Sequence, residues 1–124
     1  MPKKVYLSGP TSSDWREAAT RRLEEQGVGV MNPAMRVCGV KEEAAREIVE
    51  TDKRDIDSCD WVLVNFQKPS ARVAMEILYA WERGKTVIVA TGGSHRFPWL
   101  EYHSHILVEH LDEALSEITR PIGA

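Results

Sequence analysis

Two acidic residues stand where helices of ordinary pattern would carry apolar ones. In the segment Lys41 to Ser58, Ala45, Ile48, Val49 and Ile56 recur at helical spacing and mark one apolar stripe. Asp52 falls on that stripe, four residues after Ile48 and four before Ile56. The segment Ser70 to Arg83 repeats the pattern. Val73, Ile77 and Ala80 define its inner face, and Glu76 lies three after Val73 and four before Ala80. An unpaired carboxylate is costly to bury. Each residue has a structural explanation: Asp52 can pair with Lys53, Arg54 or a backbone amide, and Glu76 can be a boundary residue reaching water. Two inward carboxylates on consecutive helices are harder to explain in that way. Paired carboxylates in different surroundings suit glycosidic chemistry, in which one attacks the anomeric carbon and the other handles protons.

Other polar residues are candidates through their position. Tyr6 precedes the Gly9-Pro10 turn; a tyrosine there is more often core, yet its hydroxyl could orient a carboxylate. Ser70 follows Pro69 and starts a helix. It is either a plain N-cap or a hydroxyl that faces an anion together with the helix N-terminus. Arg72 lies in the same first turn, where it adds charge or points to solvent. His95, His103 and His105 have no acidic or cysteine partner at metal-binding spacing, so no metal and no cofactor is expected. The chain has no G-x-S-x-G, Walker A or G-x-G-x-x-G motif, and Gly92-Gly93 is a lone pair.

The elements that must position these groups alternate along the chain. Val5 to Ser8 reads as a strand stopped by Gly9-Pro10. Ser12, Ser13 or Asp14 can cap a helix reaching about Gln26 and ending at Gly27. Val28 to Met31 is a second strand, closed by Asn32-Pro33, and residues 34–40 form a loop. The helix Lys41 to Ser58 follows, then Trp61 to Phe66, a nearly continuous apolar run expected of a strand buried on both faces. Next come the helix Ser70 to Arg83, ended by Gly84, and the strand Thr86 to Ala90. A loop from Thr91 to Pro98, a short strand near Ile106 to Val108 and a helix from about Asp112 to Thr119 complete the chain. This alternation predicts an α/β fold, a single-domain flavodoxin-like or Rossmann-like three-layer sandwich with a five-stranded parallel sheet spanning residues 1–124. Ligands in such sheets sit at the carboxyl ends of the strands. The loops after Ser8, Met31, Phe66 and Ala90 lie there.

Bulk properties exclude several classes. With 124 residues the chain fits one domain with one real core. The net charge of -3 and the lack of a basic stripe argue against a nucleic acid polymer as partner. The apolar runs are far shorter than a membrane span, and the N-terminal residues Met1-Pro2-Lys3-Lys4 lead straight into a strand. Cys38 and Cys59 stand alone and read as reduced thiols, so a cytoplasmic location is expected.

Several short motifs then combine. The chain opens with Tyr6-Leu7-Ser8-Gly9-Pro10, continues with Ile48-Val49-Glu50-Thr51-Asp52, and has Asp60 eight residues after Asp52. A buried strand ends at Asn65-Phe66, followed by Met75-Glu76-Ile77-Leu78-Tyr79-Ala80 and Gly84-Lys85. In this order they resemble the nucleoside 2-deoxyribosyltransferase family, with its Y-x-x-G-P, M-E-L-G-Y-A and G-K motifs. That family includes the related 2'-deoxynucleoside 5'-phosphate N-hydrolases. The resemblance covers nearly the whole chain.

The resemblance implies a catalytic set of Glu76, Asp52 and Tyr6. Glu76 would form a glycosyl-enzyme ester, Asp52 would protonate or contact the leaving base, and Tyr6 would hold Glu76. Gly9, Pro10, Ser70 and Met75 become substrate-binding candidates for a nucleoside or nucleotide. In the family a C-terminal loop of a neighbouring subunit completes the site. The matching stretch is Trp99 to His105, which adds His103 and Ser104 and implies a homo-oligomer. Two positions depart from the transferase pattern: Ser70 stands where transferases carry an aspartate, as in the nucleotide N-hydrolases, and Leu78 replaces a glycine. The implied activity is cleavage or transfer of the N-glycosidic bond of 2'-deoxynucleosides or their 5'-monophosphates. The alternative is a non-catalytic nucleotide-binding or sensing module on the same fold; Asp52 and Glu76 together favour the enzyme.

Overall fold

In the computed structural model, which describes residues 1–33 and 42–120, short strands alternate with helices. They are β1 (Lys4–Ser8), α1 (Ser13–Glu25), β2 (Gly29–Met31), α2 (Glu42–Asp57) and β3 (Trp61–Asn65). After them come α3 (Ala71–Glu82), β4 (Thr86–Ala90), α4 (Pro98–Tyr102), β5 (Ile106–Val108) and α5 (Leu111–Thr119). The loop expected at 34–40, the start of a helix at Lys41, and Cys38 lie outside the described residues. All strand pairs are parallel, in the order β2-β1-β3-β4-β5. This is the flavodoxin-like order expected from the alternation of elements.

Strand periodicity divides the core into two layers, because successive side chains point to opposite faces. Tyr6, Val62, Val64, Val87 and Val89 pack with Ile56 of α2, Val73, Ile77 and Ala80 of α3, and Leu100 of α4. Val5, Leu7, Leu63 and Ile88 face the other way, onto Ala19 and Leu23 of α1 and Ala114, Leu115 and Ile118 of α5. Burial on both faces explains why β3 and β4 read as continuous apolar runs.

Two expectations change. The stretch Trp99 to His105, read as loop, contains a single helical turn, α4. Pro98 opens it at the first helical position, where its missing N–H costs nothing. Five residues are too few for an apolar period to show. The stripe of α2 is also only partly covered: Ile56 and Asp52 are buried and Ile48 is half-buried, whereas Ala45 and Val49 are exposed. The residues Ile48, Val49, Asp52 and Ile56 line an open cleft against α3 instead of a closed core.

Candidate active site

The cleft between α2 and α3 has a volume of about 600 Å³ and holds both inward carboxylates. Glu76 sits on the buried face of α3, as its spacing requires. There it meets β1. Tyr6 Oη donates to Glu76 Oε2 at 2.6 Å, and Ser8 Oγ donates to Glu76 Oε1 at 2.8 Å. Tyr6 and Ser8 are two apart on one strand, so both point to the face covered by α3. Each carboxylate oxygen thus takes one hydroxyl donor. A carboxylate has about four acceptor sites, which leaves lone pairs on both oxygens for another partner.

Burial pushes the Glu76 carboxyl above the usual carboxylate range, and the negative charge of Asp52 adds to it. Hydrogen bonds from Tyr6 and Ser8 and the positive charge of Arg72 oppose that rise. Burial and the Glu76 charge push the Tyr6 hydroxyl far above the usual phenol range, so Tyr6 stays a donor. Removing a donor to the charged form raises a carboxyl's proton affinity. Ser8→Ala is therefore expected to move the acid limb of the kcat/KM profile to higher pH. It should also lower kcat/KM by about ten- to a hundredfold, the value of one hydrogen bond to a charged group. A purely structural Ser8 would lower Tm and leave the limb in place.

Asp52 is buried on α2, four residues before Ile56. Its Oδ2 accepts from Arg72 Nη2 at 2.7 Å. This cation lies twenty residues on in the chain and is brought across the cleft by α3. Arg72 accordingly is not turned to bulk solvent alone. The cap at Ser70 is as anticipated: its Oγ accepts from the Val73 amide at 3.3 Å, and the residue is exposed.

Gly9 and Pro10 follow β1 and are held by a residue that spacing did not single out. Arg16 is only 3% exposed. Its Nε donates to Pro10 O, Nη2 to Gly9 O, and Nη1 to Leu7 O and Asn32 Oδ1, over 2.8–3.1 Å. Trp15 Nε1 donates to the same Pro10 oxygen at 3.0 Å. The arginine thus satisfies the carbonyls released where β1 ends. Gly9 is needed for close approach: a Cβ there would lie 2.8 Å from both the Asn65 carbonyl oxygen and the Trp15 ring.

The sequence model of the family described as "Nucleoside 2-deoxyribosyltransferase like" matches residues 2–93. The chain belongs to this family. The matched stretch of this deoxyribosyltransferase-like chain runs from before β1 through β4 and contains Tyr6, Ser8, Asp52, Arg72 and Glu76. Among solved structures it is similar to a 2-deoxyribosyltransferase from Bacillus psychrosaccharolyticus, with 17% identity, a TM-score of 0.70 and 90% of each chain covered. It is also similar to a CMP N-glycosidase from Clostridium botulinum, with 20% identity and a TM-score of 0.58, over 94% of this chain and 98% of that one. A response regulator from Thermotoga maritima shares the fold at 16% identity and a TM-score of 0.57, with both chains fully covered. At such identities these likenesses concern the fold, which hosts unrelated functions. No curated protein matches the sequence.

Within one chain, the structure brings Tyr6, Asp52, Met75 and Glu76 to or beside the cleft, together with Ser8 and Arg72. It does not bring His103 and Ser104 there. His103 lines a neighbouring apolar groove with Met75, Leu78 and Trp99, and Ser104 Oγ donates to Leu100 O at 2.6 Å. Among the described residues no group of three or more His, Cys, Asp or Glu is placed to hold a metal, and no helix is long and apolar enough to cross a membrane. Ser8 was legible in principle, since its period-2 relation to Tyr6 puts both hydroxyls on one face.

Proposed function

We propose that the chain cleaves or transfers the N-glycosidic bond of a 2'-deoxynucleoside or its 5'-monophosphate through a covalent glycosyl-Glu76 intermediate. The observation that carries this reading is the anchoring of both Glu76 oxygens by buried hydroxyls inside a cleft shared with Asp52. In the first step a Glu76 oxygen forms a bond to the anomeric carbon as the bond to the base breaks. Asp52 gives the leaving base its proton. In the second step a water, or an acceptor base, attacks the same carbon, loses its proton to Asp52 and frees Glu76. Splitting one displacement into two in this way is the gain from a carboxylate nucleophile. Ser70 supports the 5'-monophosphate as substrate, since its hydroxyl hydrogen is not used in capping and the helix N-terminus favours an anion. Incubating the protein with deoxynucleosides and their monophosphates, and following released base by chromatography, tests the activity. Binding without base release would favour a non-catalytic nucleotide-binding module.

The site is completed, in this reading, by a second copy. Met75 is 71% exposed, Trp99 70% and Tyr102 69%, and Val49 and Leu78 are exposed beside the cleft. Trp99 stacks on His103 with rings 5.6 Å apart and flanks an apolar groove lined by Phe66, Leu78 and Phe97. Exposed apolar clusters of this kind mark interfaces, and aromatic anchors dominate their energetics. Light scattering is expected to show a dimer or larger assembly, and Trp99→Glu to shift it towards monomer by at least about tenfold in Kd. A monomeric, fully active wild type removes His103 and Ser104 from the substrate-binding set.

A further inference from the structure

We propose that Arg16, which comes from the side of the sheet away from the cleft, is a positioning residue for the nucleophile: its guanidinium fixes the end of β1 and so the Ser8 hydroxyl that holds Glu76. The inference rests on the reading of Glu76 as the nucleophile.

The sheet stops holding β1 just where Glu76 is reached. On one side the ladder with β2 ends at Tyr6 and Met31, and on the other the ladder with β3 ends at Ser8 and Val64. Ser8 is therefore paired on one side only. Arg16 takes the place of the missing strand. It comes from α1, whose Ala19 and Leu23 pack with Leu7 on the face opposite α3. Nη1 donates to Leu7 O at 3.1 Å and Nη2 to Gly9 O at 2.8 Å, so one rigid planar group holds both carbonyls that flank Ser8. Nε, bonded to Pro10 O at 2.9 Å, and Nη1, bonded to Asn32 Oδ1 at 2.9 Å, tie the same fork to the next turn and to the segment after β2. These acceptors are all neutral oxygens. A neutral residue would pack α1 without the cost of burying a charge. What the fork adds is a fixed geometry for residues 7–10.

Ser8 links this fork to the chemistry, because its side chain points to α3 and its Oγ meets Glu76 Oε1 at 2.8 Å. Arg16→Lys keeps a cation but offers a single nitrogen, which cannot span the carbonyls of Leu7 and Gly9. The end of β1 then relaxes where it is unpaired, and the Ser8 hydroxyl leaves Glu76. Loss of that donor raises the proton affinity of the Glu76 carboxylate. The other groups that act on Glu76, Tyr6 on β1, Asp52 on α2 and Arg72 on α3, are left in place. The charge of Arg16 is itself within electrostatic reach of Glu76. Lysine retains that charge, so a shift in Arg16→Lys reports position and not charge.

The experiment measures kcat/KM against pH, with Tm, for the wild type, Arg16→Lys, Ser8→Ala and the double variant. Arg16→Lys should lower kcat/KM by about ten- to a hundredfold and move the acid limb to higher pH, as Ser8→Ala does. In the Ser8→Ala background the same substitution should cost less than about threefold, because its route to Glu76 is already cut. An acid limb that stays in place in folded Arg16→Lys, or losses that multiply in the double variant, overturn the proposal and leave Arg16 a clamp for the fold alone. Arg16→Gln, which has no charge to bury, takes lysine's place in the cycle if Arg16→Lys does not fold. In the wild type itself, the Arg16 Nε–H should exchange with water at least about a hundredfold more slowly than those of exposed arginines, as followed by NMR. Exchange as fast as theirs overturns the proposal whatever the variants do. A substrate that traps the glycosyl-enzyme separates the two levels. If the wild type leaves no adduct on Glu76, the reading of Glu76 fails, and this inference with it; an adduct together with multiplying losses overturns this inference alone.

Discussion

Replacing Glu76 with alanine or glutamine is expected to lower turnover by about three orders of magnitude or more, at about 1.4 kcal/mol per tenfold. Glu76 is the carboxylate that Tyr6 and Ser8 hold in place, and Asp52 approaches the cleft from another helix. A 2-fluoro-arabinosyl substrate should leave a sugar adduct on Glu76 that mass spectrometry locates. Stability separates loss of chemistry from loss of fold. Burial raises the folded-state proton affinity of Glu76 above that of the unfolded chain. The stability tied to that proton is fully present below the unfolded carboxyl's range and is lost as pH rises through the raised folded value. At neutral pH the buried charge is thus a cost to folding, and Glu76→Gln should show a Tm equal to or above wild type. Wild-type-like activity in either variant would falsify the mechanism.

Asp52→Asn is expected to reduce turnover of natural substrates by about two to four orders of magnitude, the usual worth of general acid-base help. Asparagine keeps a side-chain oxygen to accept from Arg72, so the contact across the cleft can survive while the proton-carrying group is lost. A nitrophenolate leaving group departs without a proton, and the same variant should cost it about tenfold or less. Parallel rates for the two substrate types are the measurement. Equal losses would make Asp52 a strut for Arg72 and would move proton transfer to another group.

The sequence alone determined the order of the strands and of every helix but the short α4, and with it the sheet they build. Most strands are short apolar runs closed by Gly, Pro or Asn, and the longer helices repeat their apolar residues with one period. These periods come from backbone geometry, so they survive in the linear string. They also placed Asp52 and Glu76 on inner faces, and the family motifs around them were readable without coordinates. Exposure was less legible. The stripe of α2 showed which side faces inward, but not that Ala45 and Val49 are exposed and that Val49 borders an open cleft.

Only the tertiary structure decided the pairing of polar groups. Arg16 has the spacing of a surface charge on α1, and only the carbonyls at the end of β1 make it a buried clamp. The sequence offered Asp52 its neighbours Lys53 and Arg54, and only the docking of α3 beside α2 brings Arg72 to it. Ser8 was a small polar residue at the end of an apolar strand until α3 brought Glu76 within 2.8 Å of its hydroxyl. Period specifies the face of one element. Which hydroxyl, carboxylate and guanidinium meet depends on how two or three elements dock, because a hydrogen bond needs its partners placed to within a few tenths of an ångström.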